Sequence, residues 1–291
     1  VVTGAASGIG KALAERFAAE GMIVVLADVD EERLEATAHA MQQSGATTLV
    51  VPTDVSKSAD VDSLAQRTVA EFGEVHVLCN NAGVGGDTTW LWEQTVETWQ
   101  WALGVNLWGV IHGIRTFVPI MLRQNTEGHI INTASLAGVT SLPFFSVYDA
   151  TKHAVVTLSE SLHYELAMLH AKVKVSVLCP GGVQTPFMDF DRHRSHTPPT
   201  QECDRPAEPQ AWYDAWCKML AAGTAPAEVA SQVLDALREE KFYIIPHPEL
   251  LPLVRARMES ILLQRNPVLS LPKEVEMLID EARRNLAKDK A

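Results

Sequence analysis

The sequence predicts an α/β fold, a doubly wound parallel sheet with helices on both faces, and three observations carry that expectation. Short apolar, β-branched runs recur along the chain, helix-length amphipathic segments separate them, and the rhythm continues through most of the 291 residues. Strands of a parallel sheet are covered on both faces, so they read as near-continuous apolar runs, and each needs a long crossover to reach its neighbour. One domain over 1–291 is the economical organisation, with 187–224 as a substrate lid and 246–291 as a C-terminal helical extension.

In order, the strands are expected at residues 1–2, 22–26, 48–51, 75–78, 129–131, 174–178 and 242–245. The first run is so short that the natural polypeptide is expected to begin earlier. Between the runs, Ile9, Leu13 and Phe17 recur at four-residue spacing, and Val61, Ala65 and Phe72 lie on neighbouring turns, so each helix has one face to bury. Trp99, Leu103, Asn106 and Val110 put an asparagine on an apolar stripe, where its amide must find partners. From 187 to 224 the pattern lapses into Pro, Asp, Arg and His with one helical patch at Trp212, Trp216 and Met219; such an excursion reads as a lid. Pro246-His247-Pro248 then precedes an amphipathic helix and a charged terminus that is expected to be mobile.

The charge balance narrows the partners. With 24 Lys and Arg against 36 Asp and Glu, the net charge of −12 would repel a phosphate backbone, and no basic run offsets it, so nucleic acid is not an expected partner. Cys79, Cys179, Cys203 and Cys217 form no C-x-x-C pair and read as free thiols of a reducing cytoplasm. No run of eighteen consecutive apolar residues and no N-terminal leader pattern is present, so neither a membrane association nor export is expected.

The most informative local pattern is Thr3-Gly4-Ala5-Ala6-Ser7-Gly8-Ile9-Gly10, between the first strand and the first helix. There, backbone amides and the helix dipole can receive a pyrophosphate, and glycines permit its close approach. The spacing is not G-x-G-x-x-G, and it is not a Walker A loop, because Lys11 is followed by Ala12. Tight strand-to-helix packing would use the same glycines. Asp28, at the end of the second run, lies where a carboxylate accepts hydrogen bonds from the adenosine ribose and repels a 2′-phosphate. Since Ser7 and Val29 beside it are not basic, NAD is favoured over NADP; the competing use of Asp28 is to cap the next helix with Asp30.

These residues resemble the classical short-chain dehydrogenase/reductase family over about 1–185, in a Rossmann-type fold. The glycine turn is followed in order by Asp54, Asn80-Asn81-Ala82-Gly83, Asn106, Ser135, Tyr148-x-x-x-Lys152 and Pro180-Gly181. The resemblance implies that Gly4, Ser7, Gly8, Ile9, Gly10, Asp28 and Val29 hold the adenosine and pyrophosphate side of NAD, that Asp54 and Val55 hold the adenine, and that Asn81, Ala82 and Gly83 support the ribose. It also implies that Val183 and Thr185, after Pro180 and Gly181, bind the nicotinamide carboxamide, and that Lys152 binds the ribose hydroxyls. Asp149 after the tyrosine and Ala134 before the serine depart from the family pattern, and are expected to leave the catalytic groups intact.

The chemistry needs these residue types. Taking a proton from an alcohol as hydride leaves requires a base, and a free phenol with a pKa near 10 is protonated at neutral pH. Tyr148 and Lys152 are four apart on one helix, so the ammonium, with the oxidised nicotinamide, is expected to favour phenolate. Ser135, at the carboxyl edge of the sheet, can hydrogen-bond the substrate oxygen as charge develops. By the same resemblance Asn106 completes a proton relay from Lys152 to solvent. The reaction expected is interconversion of a bulky, hydrophobic or aromatic secondary alcohol and its ketone, and the resemblance implies a homodimer or homotetramer formed through the helices of Asn106 and Tyr148. The segments 104–113 and 242–249 with the tail helix resemble the bacterial Cα-dehydrogenases of lignin-derived aryl ethers.

Two rivals stand beside this: a steroid, terpenoid or polyketide alcohol dehydrogenase or ketoreductase, and a non-catalytic dinucleotide-sensing protein. Weaker signals are read plainly. His153, His163, Tyr164 and His170 lie along one helix and need share no site. Asp189, Asp191, His193, His196 and Cys203 match no closed zinc spacing, so no metal is expected. Trp212 and Trp216 could wall the substrate or pin the lid, and Trp90, Trp92, Trp99, Trp101 and Trp108 suit core packing or a subunit interface.

Overall fold

Seven parallel strands in the order β3-β2-β1-β4-β5-β6-β7 form the centre of the computed structural model, which describes residues 1–189 and 205–288. The strands are β1 (Val2–Thr3), β2 (Val24–Asp28), β3 (Thr48–Pro52), β4 (Val77–Asn80), β5 (Gly128–Thr133), β6 (Val173–Leu178) and β7 (Tyr243–Ile244). The order reverses between β1 and β4, which opens a crevice at their carboxyl ends where open α/β sheets bind ligands. All seven expected strands exist, with ends displaced by a few residues. β4 and β5 run further than their apolar cores because polar residues continue them: Asn80 Nδ2 donates to Asn132 Oδ1 at 2.9 Å, and Asn132 Nδ2 donates to Ser159 Oγ at 3.0 Å.

Helices α1 (Gly8–Ala19), α2 (Glu31–Gln43), α3 (Ser58–Phe72), α4 (Val96–Ala102), α5 (Gly109–Gln124), α6 (Ser146–Met168) and α8 (Pro226–Arg238) cover the two faces. Leu13, Phe17, Leu34 and Val233 fill one layer, and Leu64, Phe117, Met121 and Leu162 the other. The run Val96–Gln124 has the length and apolarity of a membrane span. Its Ala102, Asn106, Val110, Phe117 and Met121 are buried in the protein, which makes it a core helix. A π turn at Leu103–Trp108 inserts between α4 and α5, so the buried line is Thr98, Ala102, Asn106 and Val110, and Trp99 and Leu103 are only half-buried. At Gly113 a Cβ would fall 2.0 Å from Asn80 Oδ1, so α5 can cross β4 this closely only without a side chain.

The tail corrects one expectation. Helix α7 (Ala207–Ala221) contains the tryptophan patch, α9 (Leu251–Leu262) follows β7, and the charged terminus forms α10 (Lys273–Lys288), which docks on α7 instead of trailing free. The reason is amphipathicity: Val275, Ile279 and Ala282 lie on one face and are buried, while Arg283 pairs with Glu208, and Lys218 with Glu281 at 3.1 Å. Trp212 packs edge-on against Phe144 beneath this helix pair.

Candidate active site

The carboxyl ends of the strands open into a cavity of about 990 Å³, and every predicted site residue lines it except Gly10 and Asn106, which lie directly behind its wall. The glycine turn fixes one end. Gly4 and Gly8 have φ of 69° and 54°, the left-handed region that other residues enter at a cost. Ser7 precedes α1 without making a side-chain cap, and the first turn has no acid, so no carboxylate of that turn competes for an anion at this helix terminus. Asp28 stabilises the turn from β2: its Oδ2 accepts from Ala6 N at 3.0 Å, and its Oδ1 from Asp30 N at 3.0 Å. The cap of α2 is Asp30, which accepts from Arg33 N, so Asp28 is not the capping residue.

Neighbouring elements close the floor. Asn81 Nδ2 donates to Thr3 O at 3.0 Å and its Oδ1 accepts from Thr133 Oγ1 at 3.2 Å, which ties the ends of β1, β4 and β5 together. Burial acts to raise the pKa of Asp54, but hydrogen bonds from Ser56 and the ion pair with Lys57 outweigh it and hold the carboxyl below its usual range. Val55 is buried against the start of α5, where a Cβ on Gly109 would approach it to 2.8 Å. Asn106 is wholly buried; its Oδ1 accepts from Val84 N at 2.8 Å, and its Nδ2 donates to Val84 O at 2.8 Å and Thr151 Oγ1 at 3.0 Å. The buried amide expected on the stripe thus finds its partners in the loop after β4, beside Gly83, and in α6.

Tyr148, Ser135 and Lys152 come together at one wall, although β5 and α6 supply them separately. Ser135 Oγ accepts from Ala137 N at 3.1 Å, which holds the short turn after β5. Lys152 is buried, donates from Nζ to Thr133 O at 2.8 Å, and lies 5.6 Å from the centre of the Tyr148 ring. Burial pulls the Lys152 ammonium down to about 8. Burial also pushes the Tyr148 phenol up, against a hydrogen bond with Ser135 that pulls it down, and the charge of Asp149 pushes it up further. Within the protein desolvation is the largest influence on the phenol, so Lys152 by itself does not tip Tyr148 toward phenolate; the expectation combined the ammonium with the oxidised nicotinamide, whose charge would add to it.

Asp149 is no bystander either. It is buried beside the cavity, its Oδ2 accepts from Leu142 N at 2.7 Å, and its Oδ1 has no hydrogen-bond partner. Burial raises its carboxyl from 3.8 to about 7, against the Leu142 bond. A folded-state pKa above the unfolded value means that the stability from this group is complete below about 3.8 and is lost as pH rises through about 7. Asp149→Asn is expected to gain on the wild type, by roughly 1–3 kcal/mol, between about pH 5 and about pH 8 in thermal melts. A difference between the two melting curves that does not grow with pH would refute a protonated Asp149.

Three groups escaped the sequence reading. His247 is buried and hydrogen-bonds Gly181; Leu250 and Leu253 line the cavity; and Leu271, Pro272 and Val275 wall it from the tail. The Pro246-His247-Pro248 punctuation was the visible signal for the first. Of the two tryptophans on α7, Trp212 packs edge-on against Phe144 in the interior, while Trp216 packs edge-on against Phe145 and lines the cavity. Phe187 packs on Tyr148 with ring centres 5.0 Å apart. Asp191, His193, His196 and Cys203 lie outside the described residues; among the described ones no three metal-ligating side chains gather. His163 packs on Phe242, and His153 donates from Nδ1 to the Asp149 backbone carbonyl, so these two helix histidines share no site.

Comparison with known proteins shows the family of the chain. A family profile described as short chain dehydrogenase matches residues 1–195. A solved short chain dehydrogenase/reductase from Burkholderia phymatum, in complex with NAD, is 44% identical with a TM-score of 0.89, covering 93% of this chain and 96% of that one. A "CLA biosynthesis dehydrogenase/reductase" of Lactiplantibacillus plantarum is 33% identical over 91% of this chain and 93% of its own length. The apo form of LigD from Sphingobium sp. strain SYK-6 is 26% identical with a TM-score of 0.74, over 92% of this chain and 97% of that one.

Proposed function

The chain belongs to the short chain dehydrogenase family of oxidoreductases, and on that premise we propose that it interconverts a bulky, hydrophobic or aromatic secondary alcohol and its ketone, with NAD as hydride carrier. The observation that carries this reading is the meeting of Tyr148, Ser135 and Lys152 at the wall of a cavity whose other side is apolar: Phe145, Phe187, Trp216, Met219, Leu271 and Val275. The glycine cradle, with α1 uncapped by Ser7, fits a dinucleotide pyrophosphate, and Asp28 with the neutral Ser7 and Val29 fits an unphosphorylated ribose. Asp54 and Val55 would hold the adenine, Asn81 to Gly83 and Lys152 the ribose, and Pro180, Gly181, Val183 and Thr185 the carboxamide. When bound, the nicotinamide accepts or returns the hydride.

The protein's own residues handle the proton. Tyr148 Oη carries a proton that burial holds in place, so it is set to donate to a ketone oxygen, and in oxidation it becomes the base once cationic charge enters beside it. Ser135 Oγ orients the same oxygen. Lys152 Nζ, already donating to Thr133 O, lies between the phenol and Asn106, whose side chain fixes the loop after β4 at Val84. The substrate lies against the lid, where Phe187 and Trp216 give it aromatic surfaces. Exposed Trp108, Tyr164 and Met168 would be covered by a second copy in a homodimer or homotetramer, and the buried, free Cys79 and Cys179 suit a cytoplasmic setting.

A panel of aryl, terpenoid and short aliphatic secondary alcohols with NAD or NADP tests this by absorbance of the reduced cofactor. The expected result is turnover of the bulky alcohols, with kcat/KM at least about tenfold higher with NAD than with NADP. A clear NADP preference would overturn the Asp28 assignment. Tight NADH binding with no turnover across the panel would favour the sensing protein.

A further inference from the structure

The turn after β6 is held by the C-terminal tail. His247 is 7% exposed, and its Nδ1 lies 3.0 Å from the backbone N–H of Gly181 and accepts from it. A nitrogen that accepts has no proton, so the neutral ring bears its proton on Nε2, which donates to Thr224 Oγ1 at 3.1 Å. Thr224 closes the circuit: its N–H donates to Gly182 O at 3.0 Å, and its carbonyl accepts from Gln184 N at 2.9 Å. The space is filled as well as bonded, since a Cβ on Gly181 would lie 2.8 Å from Leu250 Cδ1 and 3.1 Å from His247 Cγ. This same turn presses on the glycine turn of α1, where a Cβ on Gly8 would meet Thr185 Cγ2 at 3.0 Å. Thr224 is also where the lid segment returns to the body.

We propose that His247 is a positioning residue that locks the Gly181–Gly182 turn to the base of the lid at Thr224, so that one side chain of the tail sets both the cofactor-binding turn and the lid. The inference rests on the reading that 181–185 receives the dinucleotide. His247 touches no reacting atom in this scheme, so it acts on binding of both ligands more than on the chemical step. Only a side chain with an acceptor and a donor at adjacent ends can replace it. Glutamine has both on one amide.

The test titrates NADH into the purified full chain by quenching of tryptophan fluorescence, and measures kcat and both KM values with the best alcohol of the panel. His247→Ala is expected to raise the NADH Kd and both KM values about tenfold with kcat changed less than about threefold, the scale of two lost hydrogen bonds. His247→Gln is expected to recover most of that loss. Thr224→Val, which removes one bond, is expected to weaken NADH binding about threefold and to add nothing in the His247→Ala background. Wild-type NADH affinity in folded His247→Ala, or failure of His247→Gln to recover it, would overturn the proposal. Should His247→Ala not fold, Thr224→Val decides alone: unchanged affinity overturns, and weaker affinity supports. Wild-type protein that binds no NADH would remove the functional reading and this inference together, whereas tight wild-type binding with indifferent variants removes the inference only.

Discussion

Tyr148→Phe is expected to bind NADH within about threefold of the wild type and to lose turnover by roughly 10²–10⁴-fold, the range a positioned acid or base supplies. The substitution removes one oxygen and little else. The ring keeps its packing on Phe187, and Lys152 keeps its bond to Thr133 O, so neither the wall nor the cofactor floor should move. What disappears is the phenol proton that burial holds above the usual range at this wall. Stopped-flow measurement of a single turnover, beside equilibrium NADH titration, separates the two effects. Near-normal turnover in the variant would sink the assignment of Tyr148 as acid and base, whatever the cofactor affinity.

The same residue shows where sequence reading stops. The order of Ser135, Tyr148 and Lys152 on strand ends and helix was legible, because a βα rhythm and a four-residue spacing are local properties of the chain. The sign of the shift at Tyr148 was not, because it depends on how much water the fold excludes, and burial outweighs the serine bond. Asp149 follows the same logic: as a letter beside the tyrosine it is inconspicuous, but burial raises its carboxyl to about 7, and its charge, once formed, pushes the phenol up. Strand ends were misplaced for another reason. Asn80, Asn132 and Thr133 read as loop residues, yet they continue the sheet because their side chains find one another or a neighbour across it.

Long-range contacts were the least legible. Nothing periodic links Gly181 with His247, or Val275 with the cavity, and an amphipathic tail helix announces only that it needs a surface to cover. The surface turned out to be α7, so a helix of the segment expected as a lid and the terminus expected to be mobile stabilise each other. Trp212, Phe144 and Trp90 pack in series beneath them, which converts two marginal helices into one wall of the substrate space.

The glycine turn offers the sharpest steric test. Gly10→Ala is expected to weaken NADH binding by at least about a hundredfold and to cost roughly 1–3 kcal/mol of stability, the range for overpacking a filled interior. Gly10 does not have a positive φ, so the conflict is one of space alone: its Cβ would lie 2.0 Å from Gly4 O and 2.5 Å from Asn81 Nδ2. Relief has to come from backbone or from Asn81, and that amide also holds the ends of β1 and β5. Either adjustment displaces the N–H groups that would face the pyrophosphate. Gly21→Ala is the matched control, since Gly21 has φ of 81° with nothing within 4 Å of a Cβ. There the cost is backbone strain of about 1–2 kcal/mol, with NADH affinity unchanged. Equal NADH affinities for the two variants, each shown folded by its melt, would mean that the turn at Gly4 to Gly10 is packing and not a cofactor cradle.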